Sequence, residues 1–492
     1  MRPRLMFAER DFAPGPMPVT TADLVADLEL ATLWDGMARG DDTVRAVVRA
    51  AMLDPLTDPA DLRHRQQVLA DCLDNSATVR ALYELANAAV EVERKLHRTV
   101  FTGRPEPLLN RAVRVLEEFD GLLRRLRDLT ARHAGQFRSA GFTTMFRTVL
   151  AELDDDYFHA VAELLEQLRF DHGIVVTARL GPGNRGAGFV LREPPDKGDR
   201  VLRKSRLTVV VTGEDEHDHR ALVDLRGRAL DDVANAAAQS ADHLRDFFTG
   251  LRDELAFYLG GVNLAETLAT VGMPTCWPEP RAVSEQAMAA SDLYEPCLAL
   301  RQGRRVIGSD VAVDGRGVVV LTGPNQGGKS TFLRSVGVAH VMMQAGMFVA
   351  AHRFAASLVN GVFTHYKRDE DATMTSGKLD EELARMSVIA DHVTPGSLVL
   401  FNESFASTNE QEGSDIAGEI VRALADAGIR VVFVTHLYEL ARRLYTEDSP
   451  RCLFLRATRR DDGERTFQIT PGEPSPTAHG ADLYAKIVHS GR

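Results

Sequence analysis

Gly323, Gly328, Lys329 and Ser330 keep the spacing G-x-x-x-x-G-K-[ST] inside VVVLTGPNQGGKSTFLRSVG, residues 318–337. Residues of these types at this spacing suit a polyphosphate. Glycines let successive backbone N–H groups turn inward onto phosphate oxygens. The helix that follows adds its positive end. Lys329 would reach the β- and γ-phosphates, and the Ser330 hydroxyl would ligate Mg²⁺. Pro324, Asn325, Gln326, Gly327 and Thr331 complete the loop. A β-branched run precedes the motif and a helix-compatible run follows it, which is the context it needs. The segment predicts binding of a nucleoside triphosphate. The Lys329 charge is matched to phosphate, and no structural partner is expected for it in the free protein.

Such a loop needs a carboxylate at the end of a neighbouring strand. SLVLFNESFAST, residues 397–408, runs from apolar to polar at that point. Many such ATPases carry Asp-Glu there; this chain has Asn402-Glu403. Glu403 would orient and deprotonate the water that attacks the γ-phosphate, against the plainer reading of a buried strand glutamate. Asn402 can order a Mg²⁺-bound water but brings no charge. A third apolar run, VVFVTHLYEL at 431–440, ends in Thr435-His436. A histidine there can touch the γ-phosphate, or merely cap the next helix.

The elements that must position these residues follow from periodicity. From about 294 onward, strand-like runs at 317–322, 397–402, 430–435, 452–457 and 466–470 alternate with helix-like segments at 329–345, 378–392, 411–427 and 437–445. That is the pattern of a nucleotide-binding sheet with helices on its faces. Residues 20–170 read as long helices. Within 107–129, Leu109, Ala112, Val113, Leu116, Phe119, Leu123 and Leu126 keep a helical period. Arg111, Arg114, Arg124, Arg125 and Arg127 lie between them, interleaved with acids, and read as a solvated face rather than a phosphate-contacting stripe. GIVVTARL, GFVLRE and RLTVVVTG make 173–212 a small β-containing insertion. Gly181, Gly183 and Gly186 match G-x-G-x-x-G, but a strand follows them, so a dinucleotide site is excluded. Glu214 to His219 read as a solvated loop without metal-ligand spacing. Helix returns over about 221–272, and residues 273–286 read as an irregular boundary.

The chain has 492 residues, 44% of them hydrophobic and 26% charged, which suggests two to four globular domains. No run of about 18 apolar residues exists, so no membrane span is expected. The N-terminus has no apolar signal core. Four scattered cysteines without a C-x-x-C pair argue against zinc and a disulfide framework, and fit a reducing cytoplasm. The net charge of −12 argues against indiscriminate nucleic-acid binding.

LTGPNQGGKSTFLRSVG resembles the Walker A segment of the MutS family of DNA-repair ATPases, where T-G-P-N-x-G-G-K-S-T is distinctive. Further pieces follow in family order: QAGMFVAAHRF, VFTHYKRDEDATMTSGKLDEEL, SLVLFNESFASTNEQEGSDIA, VTHLYEL and ITPGEPSPTAHGADLYAKI. Upstream, LDPLTDPADLRHRQQVLADCL (53–73) resembles the start of the family's helical core. The resemblance implies a multi-domain protein. A helical core and lever region, 1–290, would carry the β insertion. An α/β ABC-type P-loop ATPase domain, 291–492, would follow. It implies ATP and Mg²⁺ as ligands, with Ser330 and, through water, Asn402 on the metal. It also implies a homodimer in which Ser376, Gly377 and Lys378 of one subunit face the partner's nucleotide. Departures are Asn402 in place of the Walker B aspartate, and the absence from this sequence of the mismatch-reading domain, the C-terminal dimerisation segment and a small nuclease domain. The implied function is an ATP-dependent dimeric clamp on branched, damaged or mismatched DNA, in repair or recombination control. The alternatives are a dimeric ATPase that remodels a protein or ribonucleoprotein target, and an ATP-binding scaffold with little hydrolysis.

Overall fold

A computed structural model describes residues 1–96, 105–170, 175–180, 186–192, 216–368, 377–447, 449–459 and 465–474. The chain forms two compact units. One comprises residues 1–3, 77–138 and 142–255, and the other residues 4–76, 139–141 and 256–492.

In chain order, the helices before the first strand are α1 (Thr21–Asp27), α2 (Leu30–Ala38), α3 (Asp42–Met52), α4 (Pro59–Asp74), α5 (Ser76–Leu96), α6 (Pro105–His133), α7 (Ala140–Glu152) and α8 (Asp155–Leu168). Capping chemistry sets several of their starts. Asp41 accepts from the N–H groups of Thr43 and Val44, and Asp58 caps α4 with Pro59 in its first turn. Two antiparallel strands follow, β1 (Val175–Leu180) and β2 (Gly186–Arg192). Then comes the 55-residue helix α9 (Glu216–Thr270). Its start corrects the loop expected over 214–219: Glu216 to His219 form its first turn, while residues 214 and 215 lie outside the described residues. The expected strand RLTVVVTG lies outside them too.

The first unit is helical apart from β1 and β2. Leu109, Ala112 and Val113 of α6 pack with Leu165 and Leu168 of α8 and with Leu230, Ala234 and Ala237 of α9. These are the apolar positions that the helical period selects. Two of the arginines between them are engaged, Arg124 within the helix and Arg127 across to α8. Arg124 bonds Asp120 at 2.8 Å and lies 4.2 Å over the Phe158 ring, and Arg127 pairs with Asp155 at 2.6 Å.

The second unit holds α1 to α4 and two sheets. A four-stranded sheet is ordered β3-β7-β4-β5, from β3 (Glu279–Arg281), β4 (Met288–Leu293), β5 (Ser309–Val313) and β7 (Arg353–Ser357). Part of the expected irregular boundary is therefore strand. Helix α10 (Pro296–Gln302) lies between β4 and β5. The six-stranded sheet is ordered β12-β11-β6-β10-β9-β8. It uses β6 (Val318–Thr322), β8 (Val362–Tyr366), β9 (Leu398–Asn402), β10 (Arg430–Val434), β11 (Cys452–Arg459) and β12 (Arg465–Pro471). All pairings are parallel except β11 with β12.

The continuous apolar runs of β6, β9 and β10 reflect burial on both faces. On one face α11 (Lys329–Gln344) presses Gly337 against Leu400, where a Cβ would come within 2.7 Å. On the other, Val399, Phe401 and Phe433 join residues of α12 (Lys378–His392), α13 (Glu410–Asp426) and α14 (Tyr438–Glu447) in one core. Among the described residues no helix is long and apolar enough to cross a membrane.

Candidate functional site

Register brings the functional segments to one edge of the six-stranded sheet. Val434 of β10 pairs with Leu321 of β6 on one side and with Asn402 of β9 on the other. The chain thus leaves three parallel strands at the same level, into Gly323, Glu403 and Thr435-His436. Backbone bonds carry the ladder one step further: Thr435 N–H donates to Leu321 O at 3.1 Å, and Glu403 N–H to Val434 O at 2.8 Å. The strand carrying Glu403 is not the neighbour of the loop strand, as expected from sequence. β10 stands between them, and His436 comes from that direct neighbour.

The loop 323–328 is shaped by left-handed backbone. Gly323 has φ 126°, Gln326 58° and Gly328 93°. A Cβ at Gly323 would come 3.0 Å from the Ala457 nitrogen, so close packing as well as conformation requires glycine there. The β11–β12 hairpin supports the loop: Arg465 donates to the Gln326 side-chain oxygen at 2.6 Å. Lys329 corrects the expectation that it has no partner. It is buried, and its Nζ donates to the carbonyls of Gly323 at 2.9 Å and Pro324 at 3.0 Å. The loop curls so tightly that its own carbonyls lie within reach of the ammonium. Burial pushes the Lys329 pKa down, and the nearby Glu403 carboxylate opposes that shift.

Ser330 Oγ donates to Asn402 Oδ1 at 2.9 Å, so two neutral oxygen groups meet beside the loop. Glu403 Oε1 lies 2.6 Å from His436 Nε2. That hydrogen bond is the main cause holding the Glu403 carboxyl below its usual range; burial pulls the other way, and the His436 and Lys329 charges help lower it. Lys329, Ser330 and Glu403 line one cavity of about 500 Å³, together with Ile307, Arg304 and Phe467. Its size suits a nucleotide-sized ligand. Ile307 and Phe467 are large exposed apolar side chains. Glycines that a Cβ would crowd, an ammonium aimed at the loop and paired oxygen donors fit a Mg²⁺-bearing polyphosphate. Gly377 caps α12 and is exposed; neither it nor Lys378 lines this cavity, and Ser376 lies outside the described residues.

Sequence reasoning missed Glu382, His365, Arg465 and Phe467. Glu382 is 4% exposed and accepts from Phe405 N–H at 2.7 Å and Ser407 Oγ at 3.0 Å. Its signal was present: it shares a helical stripe with Leu379, Met386 and Ile389, an acid at a core position. His365 is fully buried, and burial pushes its pKa down to about 4. As a neutral ring, its Nε2–H donates to the Glu382 carbonyl at 2.9 Å, and Nδ1 faces Ser404 Oγ at 2.8 Å. Among the described residues no group of His, Cys, Asp and Glu is arranged to hold a metal ion without a nucleotide.

Two family models match the chain, the MutS2 N-terminal domain over residues 57–271 and MutS domain V over residues 319–479. The chain is 28% identical over 239 residues to the DNA mismatch repair protein MutS of Leptospira interrogans, covering 44% of this chain and 28% of that protein. It is 27% identical over 268 residues to the protein of the same name from Chloroflexus aurantiacus, covering 49% of this chain and 28% of the relative. A third relative of that name, from Desulforamulus reducens, is 30% identical over 190 residues, or 38% of this chain and 22% of its own length. The chain thus matches less than a third of these relatives' lengths. With a helical region and an α/β region each matched by a model of one family, and the phosphate-loop signature inside the second, the chain belongs to the MutS family.

Proposed function

We propose that this chain is a MutS-like ATPase that binds ATP with Mg²⁺ at the edge of the six-stranded sheet and hydrolyses it slowly. The ABC-type ATPase domain expected over 291–492 falls within the unit of residues 4–76, 139–141 and 256–492, while the helical core and lever region expected over 1–290 is divided between the two units. The observation that carries the reading is the convergence of Lys329, the Ser330–Asn402 pair and the Glu403–His436 pair at one level of three parallel strands. Lys329 would exchange two loop carbonyls for the β- and γ-phosphates. The N–H groups of Pro-flanked Asn325 through Thr331 would cradle the phosphate oxygens. Ser330 and, through water, Asn402 would hold Mg²⁺, which neutralises developing charge on the phosphates. Glu403, ionised and hydrogen-bonded to His436, would accept a proton from the attacking water. His436 would touch the γ-phosphate. Phe467 and Ile307 offer apolar surface for the base.

The start of α12 does not line its own chain's cavity, which supports a composite site completed by a second copy through Ser376, Gly377 and Lys378. The relatives' printed name, DNA mismatch repair protein, supports DNA as the target; the homodimeric clamp would act on branched, damaged or mismatched DNA, in repair or recombination control. A second reading is a dimeric ATPase acting on a protein or ribonucleoprotein. The net charge of −12 and the engagement of Arg124 and Arg127 by acids favour it.

The test is light scattering and steady-state ATPase at micromolar protein. Glu403→Gln with ATP and Mg²⁺ should show twice the monomer mass; a monomer refutes the composite site. DNA should stimulate the wild-type rate, with a negative slope of log affinity on log salt. No stimulation and no slope leave the second reading.

A further inference from the structure

The turn that follows β9 is held in an unusual backbone state. Glu403 has φ 57° and Phe405 61°, two left-handed residues that are not glycine. Such residues persist only where their surroundings over-determine them. Here the surroundings are a buried polar set. The Glu382 carboxylate takes the Phe405 N–H and the Ser407 hydroxyl. Ser404 Oγ lies 2.5 Å from the His365 carbonyl and 2.8 Å from its ring, so its one proton serves two acceptors. The Phe405 ring stacks on His365 at 5.2 Å and 18°, and its carbonyl lies where a Cβ on Gly413 would come within 2.3 Å.

We propose that Glu382 and His365 are positioning residues for Glu403, fixing the turn that aims its carboxylate into the cavity. The proposal rests on Glu403 being the base. A buried carboxylate is costly unless its lone pairs are met, and both donors to this one come from a single loop. On its other side Glu403 is fixed by β10, through the bond of its N–H to Val434 O and that of its carboxylate to His436. Loosening the turn therefore leaves Glu403 held from the β10 side alone, with its carboxylate less firmly aimed, while Lys329 and Ser330, carried by β6 and α11, keep their places. The expected signature is a fall in kcat without a change in nucleotide affinity. Glu382 also lies on the helix capped by Gly377, so it ties Glu403 to the start of α12.

The experiment uses the full chain with Glu382→Ala, Glu382→Gln, Ser404→Ala, Glu403→Gln and the double variant Glu382→Ala with Glu403→Gln. Glu382→Ala should lower kcat about tenfold or more and leave KM and fluorescent-nucleotide affinity within about twofold. Glu382→Gln should recover most of the rate, since its amide oxygen accepts from Phe405 N–H and its NH₂ meets the Ser407 hydroxyl. Ser404→Ala, which opens no large cavity, should lower kcat with KM unchanged and serves if Glu382→Ala does not fold. In the Glu403→Gln background Glu382→Ala should have no further effect. The proposal is overturned if Glu382→Ala or Ser404→Ala keeps wild-type kcat beside an impaired Glu403→Gln, if nucleotide affinity falls in step with kcat, or if the two losses add in the double variant. A Glu403→Gln variant as fast as wild type overturns the assignment of Glu403 and this proposal with it.

Discussion

Asn402→Asp tests what the missing charge does. Asn402 Oδ1 already accepts the Ser330 hydroxyl at 2.9 Å, so the site has its shape without the substitution. A hydrogen bond to a charged acceptor contributes about 1.5–3 kcal/mol against about 0.5–1.5 for a neutral one. The difference, roughly 1–1.5 kcal/mol, corresponds to about tenfold in affinity for a Mg²⁺-bound water. One term opposes it: the new carboxylate sits beside Glu403, and like charges disfavour joint ionisation. Mg²⁺ and the nearby Lys329 reduce that repulsion. Asn402→Asp should therefore lower the half-saturating Mg²⁺ by about tenfold, and raise turnover if the chemical step limits the rate. The assay is a Mg²⁺ titration of ATPase rate and of nucleotide fluorescence for both forms at fixed ATP. The argument fails if the half-saturating Mg²⁺ is unchanged, if Asn402→Asp slows turnover, or if the wild type already runs at about tens per second, the middle of the range for enzymes.

Lys329→Met keeps the stem and removes the ammonium. Nucleotide affinity should fall by about 100-fold or more, as expected for a lost charge-assisted contact to phosphate, while the melting temperature changes little, because the buried ammonium sits in the protein at a cost; unchanged affinity in a binding titration would refute the phosphate assignment. Gly323→Ala meets both a φ of 126° and the Ala457 nitrogen, and should destabilise the protein by about 1–3 kcal/mol in denaturant titration. The Glu403 carboxyl is depressed below 4.5, first by its bond with His436. A group depressed in the folded state stabilises above its unfolded value, and that contribution is lost as pH falls through the folded one. The stability gap between wild type and Glu403→Gln should be full above pH 4.5 and close on acidification below it; a gap that widens there contradicts the pairing.

Local pattern and tertiary structure contributed differently. The loop 323–330 was legible because its chemistry is sequential: glycines, lysine and serine act within one strand–turn–helix. The bounds of α12 and those of β9 and β10 within a residue were legible for the same reason, since period and flanking turns encode them. The exposed arginines of α6 read as a local, solvated face, and Arg124 does bond an acid one turn away. What sequence could not supply is who meets whom. The insertion of β10 between β6 and β9 depends on strand order, which no local window contains. Short strands such as β3 were hidden because three residues carry too little periodicity. Lys329 was expected to be without partners because its charge, rather than the curl of its own loop, was read. Glu382 meets Phe405 across 23 residues, and Ser330 meets Asn402 across 72. Those contacts exist only once the sheet has ordered its strands, because the cost of bringing distant segments together is met by burying the whole core rather than by any pair of residues.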